Sequence, residues 1–211
     1  RYTTLDEITP DNVANIVPKW MFNFTSNSNL QVTPVVAEGV MYVTSANEAY
    51  ALDAGTGREI WHYQRARTRG LVGNAASGAN RGAAVSGDRL FMVMDNAHIV
   101  ALDRHSGTLL WDTEMADWRL NYNATGAPLP VGNLIIAGTS GGDEGVRGFV
   151  AAYDQQSGAE VWRRWTTPLP GEPGSETWQG PGLAHPAGAT WMTGTFDPVE
   201  DTLYWTVGNP G

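Results

Sequence analysis

Two groups of residues in this sequence could do chemistry together. The first is the run Ser140-Gly141-Gly142-Asp143-Glu144. Its glycines let a ligand approach the main chain closely and leave N–H groups facing it. Asp143 and Glu144 add hard carboxylate oxygens of the kind that bind a cation such as calcium. No Gly-Lys-Ser/Thr follows, so this is not a phosphate loop of the P-loop type. The second group is dispersed: Gln31, Arg81, Thr125 and Trp191. Arginine is the natural clamp for a carboxylate. Taken singly, each has a plain alternative: a solvated connector for 137–148, a surface arginine for Arg81.

Their spacing links them. The stretch 51–61 returns at 101–111 and again at 152–162, with the shared pattern Ala-x-Asp-x-x-Ser/Thr-Gly-x-x-x-Trp. Asp53, Asp103 and Asp154 follow one another at steps of 50 and 51 residues, a period that marks a stacked or radial repeat. In each copy an apolar strand runs into an Asp that caps a turn. A Gly supplies the positive φ of the hairpin, and a second strand ends in Trp. An indole in the same place of every unit is suited to cement one unit to the next.

The intervening sequence divides into short strands. The first unit has 32–36, 39–44, 48–53 and 59–63. The second has 82–86, 89–95, 98–103 and 108–113. The third has 127–130, 133–139, 148–154 and 160–165, and a fourth begins with 189–196 and 202–207. Four strands closing on a docked Trp make one blade of a β-propeller. Ahead of the blades, Thr9 and Pro10 read as the cap and first residue of a short helix, and 20–24 as a strand. The expectation is an all-β chain, about three and a half four-stranded antiparallel blades forming one partial propeller over 1–211. Such folds need four to eight complete blades, so the remaining blades are expected elsewhere. Gln31, Arg81, Thr125 and Trp191 all stand where a blade begins. First strands line the central channel, so these four residues should converge on one axial pocket. Trp191 falls outside the repeated Trp position.

Composition narrows the function. The net charge of −9 speaks against a nucleic-acid partner. The absence of cysteine excludes thiolate catalysis, Cys-zinc sites and disulfides. No apolar run is long enough to span a membrane. The four histidines show no paired ligand spacing, and neither a Gly-x-Ser-x-Gly nor a His-Glu-x-x-His motif occurs.

The docking repeat, the block Asp143-Glu144-Gly145-Val146-Arg147-Gly148-Phe149 and Gly208-Asn209-Pro210 together resemble the alcohol dehydrogenases that depend on pyrroloquinoline quinone (PQQ), of the methanol/ethanol dehydrogenase type. The resemblance covers essentially the whole chain. It implies an eight-bladed propeller exported to the periplasm, oxidising a primary or related alcohol with PQQ and a calcium or lanthanide ion, and passing electrons to a cytochrome c. It also implies roles. Gln31 and Arg81 would contact the quinone, and Thr125, Ser140, Gly141 and Gly142 would hold its carboxylates. Trp191 would form the floor under its plane, while Asp143 and Asn209 would bind the metal. Three departures stand out. Ala75-Ala76 occupies the place of the family's adjacent cysteines. Asp143-Glu144 replaces a glutamate followed by an apolar residue, so either acid could reach the ion, with Asp143 preferred by spacing. The family's catalytic aspartate belongs beyond Gly211, so no catalytic residue is assigned here. The other reading is a cofactor-free propeller scaffold of the outer-membrane assembly type, which shares the docking repeat.

Overall fold

The computed structural model describes residues 5–25, 30–178 and 180–210. Three four-stranded antiparallel sheets follow one another along the chain. The first contains β1 (Val35–Ala37), β2 (Val40–Ser45), β3 (Glu48–Asp53) and β4 (Glu59–Gln64). The second contains β5 (Ala84–Ser86), β6 (Arg89–Val93), β7 (His98–Asp103) and β8 (Leu109–Glu114). The third contains β9 (Leu129–Val131), β10 (Leu134–Gly138), β11 (Phe149–Asp154) and β12 (Glu160–Trp165). A two-stranded sheet, β13 (Thr195–Asp197) with β14 (Thr202–Tyr204), comes last. Within each full sheet the strands lie in chain order, as hairpins require. The first strands are neighbours, β1 beside β5 and β5 beside β9, so the sheets fan out from a shared inner edge. This is the propeller arrangement, with three full blades and part of a fourth.

The repeated turn has one construction in all three blades. Asp53 Oδ1 accepts the N–H and hydroxyl of Thr56 at 2.8 and 2.7 Å. Asp103 does the same for Ser106 at 2.8 and 2.9 Å, and Asp154 for Ser157 at 2.8 and 2.8 Å. Gly57, Gly107 and Gly158 then sit at φ of 74°, 75° and 74°, where a side chain would be strained. Each third-to-fourth strand pair also slips register by one residue, at Ala51/Leu52, Ala101/Leu102 and Ala152/Tyr153.

The tryptophans dock forward. Trp61 Nε1 donates to Arg104 O at 2.8 Å, and Trp111 Nε1 donates to Gln155 O at 3.0 Å. A Cβ placed on Gly107 would lie 2.7 Å from the Trp61 ring, and one on Gly158 would lie 2.7 Å from Trp111. The missing side chain is therefore the slot that receives the indole. Trp20 makes the same dock onto the first blade, donating to Ala54 O at 3.2 Å above Gly57. It lies outside the repeat pattern, which is why the sequence did not expose it. Apolar clusters fill the gaps between blades: Leu90, Met92 and Leu102 with Ala51 and Trp61, then Phe91, Ile99 and Ala101 with Ile135 and Phe149.

Several expectations need correction. No helix starts at Pro10; the only helical turn there is a 3₁₀ turn at Val13–Asn15, because Asn12 Oδ1 ties back to the Thr9 N–H at 2.8 Å. Residues 20–24 form no ladder, although Phe22 and Phe24 pack edge-on against Tyr50. The first strands of the blades are shorter than predicted, and begin two to six residues later. Their leading residues bond sideways instead of within their own sheets: Thr33 N–H to Arg81 O at 3.3 Å, and Arg81 N–H to Thr125 O at 2.8 Å. Those sideways bonds are what bring the lead-in segments of neighbouring blades together.

Candidate functional site

The lead-in segments carry the dispersed residues, and the sideways bonds set how they meet. Arg81 Nη1 donates to Thr125 Oγ1. Thr125 Oγ1 in turn lies 2.8 Å from Ser140 Oγ. Both hydroxyls are buried, and Ser140 is fixed by its N–H to Asn123 O bond of 2.8 Å. The Arg81 guanidinium stands 4.7 Å from the centre of the Trp191 ring. One continuous set of contacts thus runs from blade two through blade three to the start of blade four.

Trp191 is held from its own side. Thr190 N–H donates to Thr139 O at 2.8 Å, and Gly208 N–H donates to Ala189 O at 2.8 Å. The second bond brings Gly208 and Asn209 alongside. The loop after β10 folds back at Gly141, whose carbonyl accepts the N–H groups of Glu144 and Val146 at 3.1 and 3.2 Å. A 3₁₀ turn, Gly142–Glu144, then presents Asp143. The result is one cavity lined by Ser140, Gly141, Asp143, Trp191, Asn209 and Asn123 among others. Asp143 and Asn209 also share an adjoining hollow with His185.

The electrostatics are one-sided at Arg81. Burial pushes its guanidinium below the ordinary value, with no carboxylate to oppose the effect. Among the described residues Arg81 forms no salt bridge. A partly desolvated, unpaired guanidinium beside two buried hydroxyls and an aromatic face is a site for a flat anion. Asn123 points the same way. It is 1% exposed, and its Oδ1 has no hydrogen-bond partner among the described residues. A buried polar atom in a cavity wall calls for a partner in the cavity.

For a cation, the wall offers the exposed Asp143 carboxylate and the Asn209 amide. Glu144 is also in the wall, with its carboxylate against Gly73. Among the described residues no group of three or more His, Cys, Asp or Glu could hold a metal alone. A cation here therefore needs ligand oxygens from the cavity's occupant as well, and a carboxylated quinone supplies them.

Of the residues singled out in the sequence, Ser140, Gly141, Gly142, Asp143, Trp191 and Asn209 line this cavity, and Arg81 and Thr125 join them through Trp191 and Ser140. Gln31 does not line it; it lies exposed ahead of β1. The sequence reading missed Asn123 and Asn74 in the lining. Asn123 carried a weak signal, standing two residues before Thr125 on the same lead-in segment. Asn74 carried none, since its place depends on how a long connector folds.

The family model for the glucose/ethanol/alcohol dehydrogenase β-propeller domain (PQQ) matches residues 1–211. The chain belongs to this PQQ-dependent family. The chain is 34% identical over 225 residues to quinohemoprotein alcohol dehydrogenase ADH-IIG of Pseudomonas putida, covering 99% of the chain and 31% of that protein. A solved structure of ADHIIG from Pseudomonas putida HK5 superposes with a TM-score of 0.90 at 32% identity, over 100% of this chain and 33% of that one. A europium-containing methanol dehydrogenase matches with a TM-score of 0.87 at 31% identity, over 98% of this chain and 40% of that one. BamB from Moraxella catarrhalis matches at a TM-score of 0.62 and 20% identity, over 89% of this chain and 49% of that one, which shows a shared fold alone. The chain spans about a third of the length of the curated relatives it matches.

Proposed function

We propose that this chain is the cofactor-holding part of an enzyme that oxidises a primary or related alcohol to the aldehyde with metal-bound PQQ. The observation that carries the reading is the unpaired, partly desolvated Arg81, bonded to Thr125 and stacked on Trp191. PQQ when bound supplies a quinone carbonyl that accepts hydride equivalents from the alcohol carbon.

The chain's own residues have the following parts. Arg81 neutralises a carboxylate of the ring and keeps its position through the Thr125 hydroxyl. Thr125 and Ser140 donate hydrogen bonds, as do the N–H groups of Gly141 and Gly142. Trp191 gives the plane a surface to stack on and shields it from water on that side. Asp143 and Asn209 offer oxygens to calcium or a lanthanide. Gln31 lies exposed ahead of β1, and we place its contact at the quinone edge. No residue within 1–211 is assigned as the base that takes the alcohol proton.

A cytochrome c as electron acceptor and a periplasmic location belong to the same reading. Among the described residues no helix is long and apolar enough to cross a membrane. The cofactor-free scaffold reading has the shared fold behind it. It gives no account of a partly desolvated guanidinium without a counter-ion. The test uses the longest natural polypeptide that carries residues 1–211. PQQ with calcium or lanthanum should quench its tryptophan fluorescence saturably and should restore dye-linked alcohol oxidation. Neither quenching nor oxidation with any of these additions would reject the proposal.

A further inference from the structure

The connector between β4 and β5 carries no repeat motif, yet it reaches the cavity. Its single helical turn, α1 (Gly73–Ala76), puts Asn74 in the lining. One turn of four residues does not hold its own shape, since helix nucleation is unfavourable. Here the turn is held from both sides. The Glu144 carboxylate packs directly against Gly73, at φ 69°, where a Cβ would strike it. From behind, Arg67 Nη2 donates to Ala75 O at 2.5 Å and to Ala76 O at 3.2 Å.

Arg67 is itself anchored. Its Nε donates to Asp95 Oδ2 at 2.8 Å, and the Asp95 side chain is fully buried. Asp95 also accepts the Thr68 N–H at 3.1 Å and the Thr68 hydroxyl at 2.9 Å. The Asp95 N–H donates to Asn47 Oδ1 at 2.8 Å. A chain of bonds therefore runs from blades one and two to the cavity wall. The Arg67–Asp95 pair is neutral overall, so it adds no charge to the cavity. With Asp95 buried but the Arg67 side chain 35% exposed, the pair contributes little net stability over apolar packing, and is better explained by the conformation it selects. The conformation selected here is the placement of Asn74.

We propose that the Asn74 side-chain amide donates a hydrogen bond to the bound cofactor, and that Arg67 and Asp95 are the positioning residues that aim it. The proposal rests on the PQQ reading above, because a trianionic ring wants donors at every polar edge. The test is PQQ titration of the full polypeptide, followed by tryptophan quenching, with the apo-protein melting temperature measured in parallel. N74A should weaken PQQ binding about 10-fold, and N74D, which sets a carboxylate against an anion, by about 100-fold, both with an unchanged apo melting temperature. R67A should weaken binding by a factor close to that of N74A, and R67K should recover part of it. The double variant R67A/N74A should bind no more weakly than the weaker single variant, since Arg67 acts through Asn74.

PQQ binding by N74A and N74D equal to that of the unaltered protein would overturn the contact. Losses that multiply in the double variant would overturn the positioning role. Should R67A fail to fold, the Asn74 pair still decides the contact, and R67K against R67K/N74A decides the coupling. An unaltered protein that binds no PQQ at all would instead bring down the cofactor reading, and this inference with it.

Discussion

Arg81 concentrates what the site can do in one side chain. Its guanidinium has a hydroxyl and an indole for company and no acid. Removing the charge should therefore cost affinity for an anionic ring rather than stability of the apo-protein. Arg81→Gln should weaken PQQ binding roughly 10- to 100-fold, the range of one charge-assisted hydrogen bond. Arg81→Lys should recover only part, because an ammonium lacks the planar fork that keeps the Thr125 bond while lying over Trp191. Isothermal titration of the variants checks both. The two acids of the 3₁₀ turn should separate in the same way. Asp143→Ala should raise the calcium concentration needed for half-saturation at least about tenfold, whereas Glu144→Gln should leave it nearly unchanged. The reason is geometric: both acids line the cavity, but Asp143 is exposed, while Glu144 is half-buried with its carboxylate against Gly73. Arg81, Thr125 and Trp191 were legible beforehand because they share one place in successive units. Asn74 was not, because no local pattern says where a long connector will rest.

At the scale of the element, the repeated turn couples a backbone need to a packing need. Gly107 has φ 75° and also leaves the slot for Trp61, 2.7 Å from where a Cβ would lie. Gly132, in the β9–β10 turn, has φ 57° but nothing within 4 Å of its Cβ position. Gly132→Ala should therefore cost only the left-handed backbone penalty, about 1 kcal/mol. Gly107→Ala should cost that and the displacement of an indole, roughly 2–4 kcal/mol together. Urea unfolding midpoints of the two variants test the difference; equal shifts would mean that the Trp61 dock carries no energy. The turn was readable from Asp, Ser/Thr, Gly and Trp at fixed offsets, since each of those residue types has a local physical reason to be there. Trp20 was not readable, since its dock onto Gly57 joins segments that no offset relates. The lead-in strands were overextended in the reading for a related reason. Apolar alternation reports that a segment is extended, but not whether its N–H groups bond within its sheet or across to the next blade.

At the scale of the whole molecule the same turn recurs, so its titration should be visible globally. Hydrogen bonds from Thr56, Ser106 and Ser157 hold the Asp53, Asp103 and Asp154 carboxyls below their ordinary value of 3.8. A carboxyl depressed in the folded state is protonated first in the unfolded chain. Its contribution is therefore complete above the ordinary value, and is lost as pH falls through that value towards the depressed one. Stability should be level from neutral pH to about pH 5 and should decline below about pH 4. The net charge of −9 works in the opposite direction, because acid relieves the mutual repulsion of the carboxylates. Salt separates the two effects. Repulsion between exposed charges is screened beyond about 3 Å at 1 M ionic strength, whereas a carboxylate bonded to its own turn is not. Urea midpoints of the full polypeptide, measured from pH 7 to pH 3 in high salt, should therefore show the steeper decline. Asp103→Asn should make that decline shallower while lowering the neutral-pH midpoint. An acid decline that the substitution leaves unaltered would assign it to other carboxylates and would separate the repeated turn from the acid sensitivity of the fold.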